Sequence, residues 1–484
     1  MSVVELDFDQ CYRATESRDA RFDGWFIVGV RTTGVYCRPS CPSPVCPKPQ
    51  NVVFYRTAAA AQLAGLRACK RCRPDAVPGS PEWDTRADVV GRAMRLIADG
   101  LVDRDGVAGL ARALAVSERH LQRLLVEAVG APPLALARSQ RAQTARLLIE
   151  TTTLPFTEIS FAAGFSSVRQ FNDTIRQVFG VPPSELRGTR RDSRTSEPGR
   201  LALRLAVRQP YDRLGVVRWL AARAIAGVEE ATNGSYRRAL RLPGGLGLVE
   251  LEPRDDHVRA TFWLHGLADL AAAVRRCRRL LDLDADPFGY AAVLGEDGSL
   301  GSLVAANPGL RAPGTVDGAE SAIRAVVGQQ VSLAVARTVA ARIATRYGTT
   351  LDSSYGSITH AFPEPEALAT ARLHAIGLPA SRRRTVRALA RKLATGELVL
   401  DGGVDRADAQ RQLLEIEGVG SWTAAYIALR ALRDPDAFPV GDLGLRRAAA
   451  RIGLPSSDAA LAARSERWRP WRAYAAHYLW SVGA

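Results

Sequence analysis

The sequence predicts a multi-domain, mainly α-helical protein that begins with a small metal-bound α+β module. Three observations carry this expectation. At 484 residues the chain is too long for one core and should divide into roughly three or four domains. Apolar residues recur at helical spacing from about Trp83 to Arg187 and again from Pro287 onward. Five of the seven cysteines fall between Arg31 and Asp75, a stretch where Gly34, Pro39, Pro42, Pro44 and Pro47 favour turns over a continuous helix or strand.

Composition narrows the partners. Contents of 47% hydrophobic and 24% charged residues are ordinary for a globular chain. The balance of 65 basic against 50 acidic residues is not; it gives a net charge of +15 and favours a polyanion. The surplus is 6 up to Arg190 and 9 beyond it, so both halves are candidates for contact with nucleic acid. Lys48, Lys70 and Lys392 are the only lysines. Such Arg- and Ala-rich usage also fits a GC-rich genome, which makes charge alone weak evidence. No run approaches about 18 consecutive apolar residues, and the N-terminus lacks a basic-then-apolar signal. The expectation is a cytoplasmic, nucleoid-associated protein with no membrane contact, whose thiols stay reduced and suit a metal better than disulfides.

Taken in order, the first element is the cysteine stretch. Cys37 and Cys41 form a C-x3-C pair and Cys69 and Cys72 a C-x2-C pair, the spacing with which two turns gather four sulfurs around one tetrahedral zinc ion. Such a site can be a structural staple, since zinc supplies about 10–16 kcal/mol of apparent binding energy to a module with little core of its own. It can equally be reactive, because a zinc-bound sulfur is deprotonated and therefore nucleophilic. Spacing does not choose between the two. Cys46 lies outside the set as a spare thiol, an alternative ligand or an inert side chain, while Cys11 and Cys277 read as core cysteines.

The surrounding residues decide. Phe26-x3-Val30-Arg31-Thr32-Thr33-Gly34-Val35-Tyr36-Cys37-Arg38-Pro39-Ser40-Cys41, then Asn51-Val52-x-Phe54 and Cys69-Lys70-Arg71-Cys72-x-Pro74-Asp75, resemble the metal-binding domain of the Ada family over about residues 8 to 78. The resemblance implies that Cys37 accepts a methyl group irreversibly from a methylated DNA phosphate, that Cys41, Cys69 and Cys72 are its zinc co-ligands, and that the methylated protein activates transcription. Charge makes such a switch plausible. Four thiolates on one zinc sum to minus two, and one methyl transfer leaves minus one. Removing a charge about 7 Å from a phosphate is worth roughly 0.6 kcal/mol in water and about 2.4 kcal/mol at an effective dielectric of 20.

The next stretch outlines two helix-turn-helix units. Val107, Leu110, Ala111 and Leu114 keep one apolar face, Ser117 caps the following helix, and Leu121, Leu124 and Leu125 continue the pattern. About fifty residues later Ile159, Ala162 and Ala163 precede a break at Gly164-Phe165-Ser166, and Phe171, Ile175, Val178 and Phe179 mark another helix. A linking helix from Pro132 to Glu150 separates the units. The second unit, ending in Phe179-Gly180-Val181-x-Pro183, resembles the AraC-type DNA-binding domain over roughly 85 to 187. Two recognition helices would then enter successive major grooves. The candidate base readers are Arg119, Gln122 and Arg123 in the first and Arg169, Gln170 and Asn172 in the second, where Arg suits guanine and Asn or Gln adenine. Phosphate contacts or solvation are the competing roles for each.

Gly188 to Gly199 is polar, lacks apolar periodicity and reads as a linker. The methyltransferase with a Pro-Cys-His-Arg core that an Ada protein would carry next is absent, so repair of O6-alkylguanine by this chain is not expected. Residues 200 to 286 mix apolar runs at Leu201–Val207, Leu246–Leu251 and Val258–Leu264 with helical stretches at Tyr211–Ile225 and Leu267–Asp282, an α+β module. Gly244-Gly245-Leu246-Gly247 looks like a phosphate loop but opens no helix, and reads as a turn between strands.

From Pro287 the pattern is helical again. Leu413 to Ala424 contains Glu417-Gly418-Val419-Gly420-Ser421-Trp422, a helix, a glycine turn and a second helix. Gly418 and Gly420 would let backbone approach a phosphate, although a tight helix connection needs the same glycines. Pro439-Val440-Gly441-Asp442 introduces a further helix. With Tyr211-Asp212, Leu220-Ala221-Ala222-Arg223-Ala224, Ile323-Arg324-Ala325, Gly328-Gln329-x-Val331-Ser332, Ala428-Leu429-Arg430 and Trp468-x-Pro470-Trp471-Arg472-x-Tyr474, the whole of 200 to 484 resembles the AlkA-type 3-methyladenine DNA glycosylases of the helix-hairpin-helix superfamily.

That resemblance implies Asp442 as the catalytic aspartate, a role compatible with capping the helix at Leu443, and Trp219, Trp422, Tyr426 and Trp480 as the base pocket, with buried core as the competing role for each. Methylation at N3 or N7 makes a purine cationic and a good leaving group. A carboxylate beside the flipped sugar stabilises the oxocarbenium-like centre and orients water, and electron-rich indoles attract a cationic base. Gln330 stands where some relatives place an apolar wedge, which puts a polar side chain in the gap left by the flipped base. No C-terminal cysteine cluster is present, so no iron-sulfur site is expected.

The expected organisation is an Ada-type zinc domain over 1–82, an AraC-type domain over 83–187, a linker over 188–199, an AlkA-type N-terminal α+β domain over 200–286 and an all-α helix-hairpin-helix glycosylase domain over 287–484. The expected activity is hydrolytic excision of alkylated bases joined to a suicidal methyl acceptor. The partners are double-stranded DNA and RNA polymerase, and the chain is expected to be a monomer. A purely regulatory protein with a catalytically silent glycosylase fold is the alternative, against which the intact hairpin and Asp442 argue.

Overall fold

A computed structural model describes residues 6–74, 89–187, 200–401 and 403–482. The linker expected at 188–199, the end of the cysteine motif at Asp75 and the chain around Trp83 lie outside the described residues. The chain forms two compact units, Met1–Ala206 with Leu264–Arg275, and Val207–Trp263 with Arg276–Ala484.

The first unit begins with α1 (Phe8–Glu16), capped by Asp7, and a four-stranded sheet of β1 (Ile27–Val30), β2 (Val35–Cys37), β3 (Val52–Tyr55) and β4 (Arg67–Ala68) in the order β3-β1-β2-β4. The sheet is antiparallel except that β2 runs parallel to β4, pairing Tyr36 with Ala68. This register brings Cys37 beside Cys69. The short helix α2 (Ala58–Leu63) presents small side chains, and Ala59 and Ala60 share a core with Leu110, Leu121 and Leu125. Zinc module and helical module are therefore packed as one body, and Thr57 Oγ1 donates to the carbonyl of Val129 at 3.1 Å.

Among the described residues seven helices follow: α3 (Val89–Ala98), α4 (Leu101–Ala113), α5 (Glu118–Val129), α6 (Pro133–Thr151), α7 (Phe156–Ala162), α8 (Val168–Phe179) and α9 (Pro183–Arg187). The expected repeat is visible in its caps. Ser117 accepts from the backbone of His120 and Ser167 from that of Gln170, each at 3.2 Å. Both α5 and α8 end on a left-handed glycine, Gly130 and Gly180, where only glycine adopts the conformation without strain.

β5 (Arg200–Ala206) and α10 (Arg213–Arg223) come next, and then an antiparallel meander of β6 (Glu229–Thr232), β7 (Ser235–Leu242), β8 (Gly245–Pro253) and β9 (His257–Trp263). The glycine run at 244–247 forms the turn between β7 and β8, with Leu242 opposite Gly245. Sequence reasoning did not place β6, whose residues Glu229 to Thr232 carry no apolar alternation, or β7, where Arg237, Arg238 and Arg241 interrupt it. Arg238 is nonetheless buried, between Glu229 at 2.9 Å and Glu320 at 2.7 Å.

The remaining helices are α11 (Leu270–Leu281), α12 (Pro287–Gly295), α13 (Gly301–Ala306), α14 (Gly318–Val327), α15 (Leu333–Tyr347), α16 (Pro365–Thr370), α17 (Ala380–Ala394), α18 (Arg406–Leu414), α19 (Ser421–Arg430), α20 (Leu443–Arg451), α21 (Asp458–Ser465) and α22 (Arg472–Val482). A two-stranded hairpin, β10 (Thr349–Tyr355) and β11 (Ile358–Ala361), interrupts the region expected to be all-α. It packs Ile358 and Ala361 against Ala239 and Leu248 of the sheet. One large core joins α12 through α22, with Val326, Ile343, Ile427 and Trp468 buried inside it.

Candidate functional site

The four cysteines converge. Cys37 ends β2, Cys41 closes a turn through its backbone N–H to the carbonyl of Arg38, and Cys69 follows β4 with its N–H bonded to the carbonyl of Tyr36 at 2.9 Å. The sulfurs of Cys37, Cys41, Cys69 and Cys72 all lie within 4.8 Å of one another. Tetrahedral zinc with Zn–S near 2.3 Å needs sulfurs about 3.8 Å apart, so the donor set fits that ion. Hydrogen bonding with Cys41 and Cys72, then burial, push the Cys37 thiol far above its usual value, while Cys37 and Cys72 draw Cys41 down. Sulfurs crowded in this way share protons unless a cation ionises them together. Cys37 keeps 8% of its surface exposed. The spare Cys46 sits outside the cluster, its sulfur 3.8 Å from the carbonyl of Pro47.

Sequence reasoning missed Asp23. Its buried carboxylate accepts from the backbone of Ser40 at 3.1 Å and from the Ser40 hydroxyl at 2.6 Å, and pairs with Arg38 at 3.3 Å. It thereby fixes the turn that carries Cys37 and Cys41. An isolated Asp fourteen residues before Cys37 gives no signal in the chain.

On the two candidate recognition helices, Arg119, Gln122 and Arg123 of α5 and Arg169 and Gln170 of α8 are exposed, and Asn172 is half-buried. Two of them already have intramolecular partners. Gln170 Oε1 accepts from the Ser166 hydroxyl at 3.0 Å, and Arg123 lies 3.2 Å from the His120 ring nitrogen and 3.9 Å from Glu127.

In the second unit, α18 and α19 form the hairpin around Gly418 and Gly420. Gly418 has φ +87° and no room for a Cβ, which would sit 2.2 Å from Thr385 Oγ1. Thr385 donates to the carbonyl of Glu417 at 2.9 Å, and Gln329 Nε2 to the carbonyl of Gly418 at 2.9 Å and to Thr423 at 2.8 Å. Asp442 caps α20 through its Oδ1, which accepts from the backbone of Leu445 at 2.9 Å. The same carboxylate receives the indole N–H of Trp480 on Oδ1 and that of Trp422 on Oδ2, each at 3.0 Å. Two pocket residues named from sequence thus aim the aspartate.

Asp442 and both tryptophans border two adjoining cavities, of about 220 and about 1550 Å³. Trp422 stacks on Tyr426 at 5.4 Å, and Trp219 lies 5.4 Å from Trp480, so the four expected aromatics form one cluster. The expectation that open indole faces receive a cationic base meets one difference: the Arg223 guanidinium already lies 3.2 Å above the Trp219 ring. Its neighbour Arg430 is 5.7 Å from the same ring. Burial alone would raise the Tyr426 hydroxyl, but the guanidiniums of Arg430 and Arg223 outweigh it and lower the pKa. Gln330 is exposed at the mouth with φ +56°, and the exposed apolar side chains of Val331, part of the Gly328-Gln329-x-Val331-Ser332 match, and of Leu333, which lies outside it, stand beside it.

Four family models match the chain: the metal binding domain of Ada over residues 10–75, a helix-turn-helix domain over 110–189, the AlkA N-terminal domain over 202–317 and the HhH-GPD superfamily base excision DNA repair protein over 323–473. A Mycobacterium tuberculosis protein, the probable bifunctional transcriptional activator/DNA repair enzyme AlkA, is 56% identical over 98% of this chain and 96% of its own length. DNA-3-methyladenine glycosylase 2 of Escherichia coli is 36% identical over 56% of this chain and 94% of its own. Among solved structures, the 3-methyladenine DNA glycosylase of Archaeoglobus fulgidus resembles it with a TM-score of 0.52 at 22% identity, covering 58% of this chain and 97% of that one, a likeness of fold.

Proposed function

Because the chain belongs to the family of the bifunctional transcriptional activator/DNA repair enzymes AlkA, we propose that it couples two responses to DNA alkylation: base excision at Asp442 and phosphotriester sensing at Cys37. The observation that carries the first is the Asp442 carboxylate, held by Trp422, Trp480 and the α20 cap at the mouth of a cavity beside a helix-hairpin-helix turn. The hairpin glycines Gly418 and Gly420 and the exposed edge at Gln330 hold the strand, and the damaged base enters the cavity lined by Trp219, Trp422, Tyr426 and Trp480. The C1′–N bond breaks with its electron pair leaving on the base. Asp442 stabilises the positive charge left at C1′ and orients the water whose oxygen bonds there, its proton passing to the carboxylate and then to solvent.

At the other site, Cys37, Cys41, Cys69 and Cys72 would hold zinc, which would keep the sulfurs ionised at neutral pH. The Cys37 sulfur bonds to the methyl carbon as the methyl–oxygen bond breaks, and the phosphate leaves as the diester anion. The loss of one negative charge then strengthens binding of α5 and α8 to duplex DNA, where Arg119, Gln122, Arg123, Arg169, Gln170 and Asn172 read or clamp the site and RNA polymerase is recruited. The protein acts as a monomer in the cytoplasm at the nucleoid. Among the described residues no helix is long and apolar enough to cross a membrane.

Incubation of the zinc-loaded full chain with methylated duplex DNA tests both halves. Free alkylated base should appear, and peptide mass spectrometry should find one added methyl on Cys37. No base release by the wild type would sink the glycosylase reading. Methyl uptake from phosphate undiminished in Cys37→Ser would sink the sensor assignment.

A further inference from the structure

Two stretches of the second unit carry no negative charge. Residues 321–350 and 367–396 contain neither aspartate nor glutamate, although the chain has 50 such residues. Folding brings the two stretches together. Arg342 Nη1 donates to the carbonyl of Ile376 at 3.4 Å and Arg346 Nη1 to that of His374 at 3.5 Å, while Arg383 Nη1 lies 3.2 Å from His374 Nδ1. Between α15 and the chain at Ala375–Ile376 lies an open groove of about 700 Å³. Arg337, Arg342 and Arg346 line it and are exposed, and no carboxylate lines it. None of the three has an ion pair among the described residues.

Arg342 and Arg346 stand four residues apart on one helix, where like charges repel. An anion bound between them removes that repulsion. The rest of the lining is alanine, threonine and the buried Ile376. A protein partner would need deep pockets for large apolar or aromatic anchors, which a floor of alanines does not make. Guanidiniums and hydroxyls over a shallow floor suit phosphate oxygens.

Position identifies the phosphates. Arg337 borders both this groove and the smaller cavity beside Asp442, and Leu333, which opens α15, borders the larger one. From Leu333 to Arg346 the helix runs ~20 Å, the length of about six base-pair steps. A duplex centred on the cavity mouth thus reaches the groove a few base pairs from the damaged nucleotide.

We propose that the α15 groove is a second DNA-contact surface, in which Arg337, Arg342 and Arg346 hold the phosphate backbone of the duplex beyond the damaged nucleotide. This extends the excision reading and rests on its DNA contact, not on the chemistry at Asp442.

The test uses the zinc-loaded full chain and a duplex of about 30 base pairs with a tetrahydrofuran abasic analogue at its centre, which engages the second unit without chemistry. Binding is followed by fluorescence anisotropy between about 50 and 200 mM salt. Each phosphate contact contributes about 0.9 to the log–log salt slope, so Arg342→Gln/Arg346→Gln should be shallower than the wild type by ~1.8. Arg342→Lys/Arg346→Lys keeps the charge without the planar fork and should stay within about 0.5 of the wild-type slope. A wild-type slope in the Gln variant overturns the proposal. A Lys variant that loses as much as the Gln variant overturns it too, because the arginines then brace the carbonyls of Ile376 and His374 and touch no phosphate. Binding of a poly-glutamate peptide that the Gln variant loses at an unchanged salt slope assigns the groove to an acidic chain and likewise overturns it. Absence of base release by the wild type would sink the excision chemistry alone, since the slope needs none.

Discussion

Replacing Asp442 with Asn removes one negative charge and almost no volume. The side chain accepts three hydrogen bonds, from Leu445 N at 2.9 Å and from the indoles of Trp480 and Trp422 at 3.0 Å each. The Asn carbonyl oxygen can keep the first two, since both reach Oδ1, and Asn is itself a good helix cap. Its amide nitrogen would then face the Trp422 N–H, donor against donor, a cost of about 1–3 kcal/mol in stability. The kinetic loss is separate. A carboxylate about 4 Å from a developing positive charge is worth about 4 kcal/mol at an effective dielectric of 20, or roughly a thousandfold in rate. Single-turnover release of base from a damaged duplex, run beside a thermal melt, reads both quantities. Asp442→Asn should stay folded and lose about three decades of rate. A variant that melts like the wild type and keeps more than about a tenth of its rate would refute the assigned role of the carboxylate.

Three further outcomes follow from the same contacts. Asp23→Ala releases Ser40 and Arg38 from the Cys37–Cys41 turn and should weaken zinc binding by about 10–100-fold in chelator competition; unchanged affinity would show that the turn holds without it. Gly418→Ala places a Cβ 2.2 Å from Thr385 Oγ1 at φ +87°, and should cost more than about 1 kcal/mol in denaturant melts and loosen DNA binding in titrations. Glu229 is desolvated, yet Arg324 and Arg238 hold its carboxyl down to about 2. A depressed folded pKa gives stability above the unfolded carboxylate range that is lost as pH falls toward 2. The melting temperature of wild type should therefore drop across that window, and Glu229→Gln should be less stable at pH 7 and less acid-sensitive below pH 5.

How far the site could be read from the chain depended on whether its chemistry is local. The Cys37–Cys41 and Cys69–Cys72 pairs, the serine cap at Ser117, the apolar faces of α5 and α8, and the glycine hairpin before Trp422 are short-range patterns. A turn or a helix face needs only a few neighbouring residues to declare itself. Asp442 was legible for the same reason as the cap of a helix just after Pro439-Val440-Gly441, a cap the structure shows at 2.9 Å to Leu445, while its proposed chemistry came from the family resemblance.

Long-range partners were not. β7 hid because Arg238 breaks its alternation, and its burial is acceptable only once Glu229 and Glu320, the latter from a helix 82 residues away, arrive to satisfy it. Asp23 gained a role only when the sheet brought it against Ser40. The aromatic residues of the cavity were legible in the sequence, but their charged neighbours were not: the stack of Arg223 on Trp219, the approach of Arg430 and the burial of His477 join α10, α19 and α22, segments more than about two hundred residues apart in part. Local pattern placed the two cysteine pairs and the helices of the helix-turn-helix units, and the family resemblance implied the role of Asp442. Which charges surround the aromatic cavity is a matter of distances between remote side chains, and these exist only after the chain has packed.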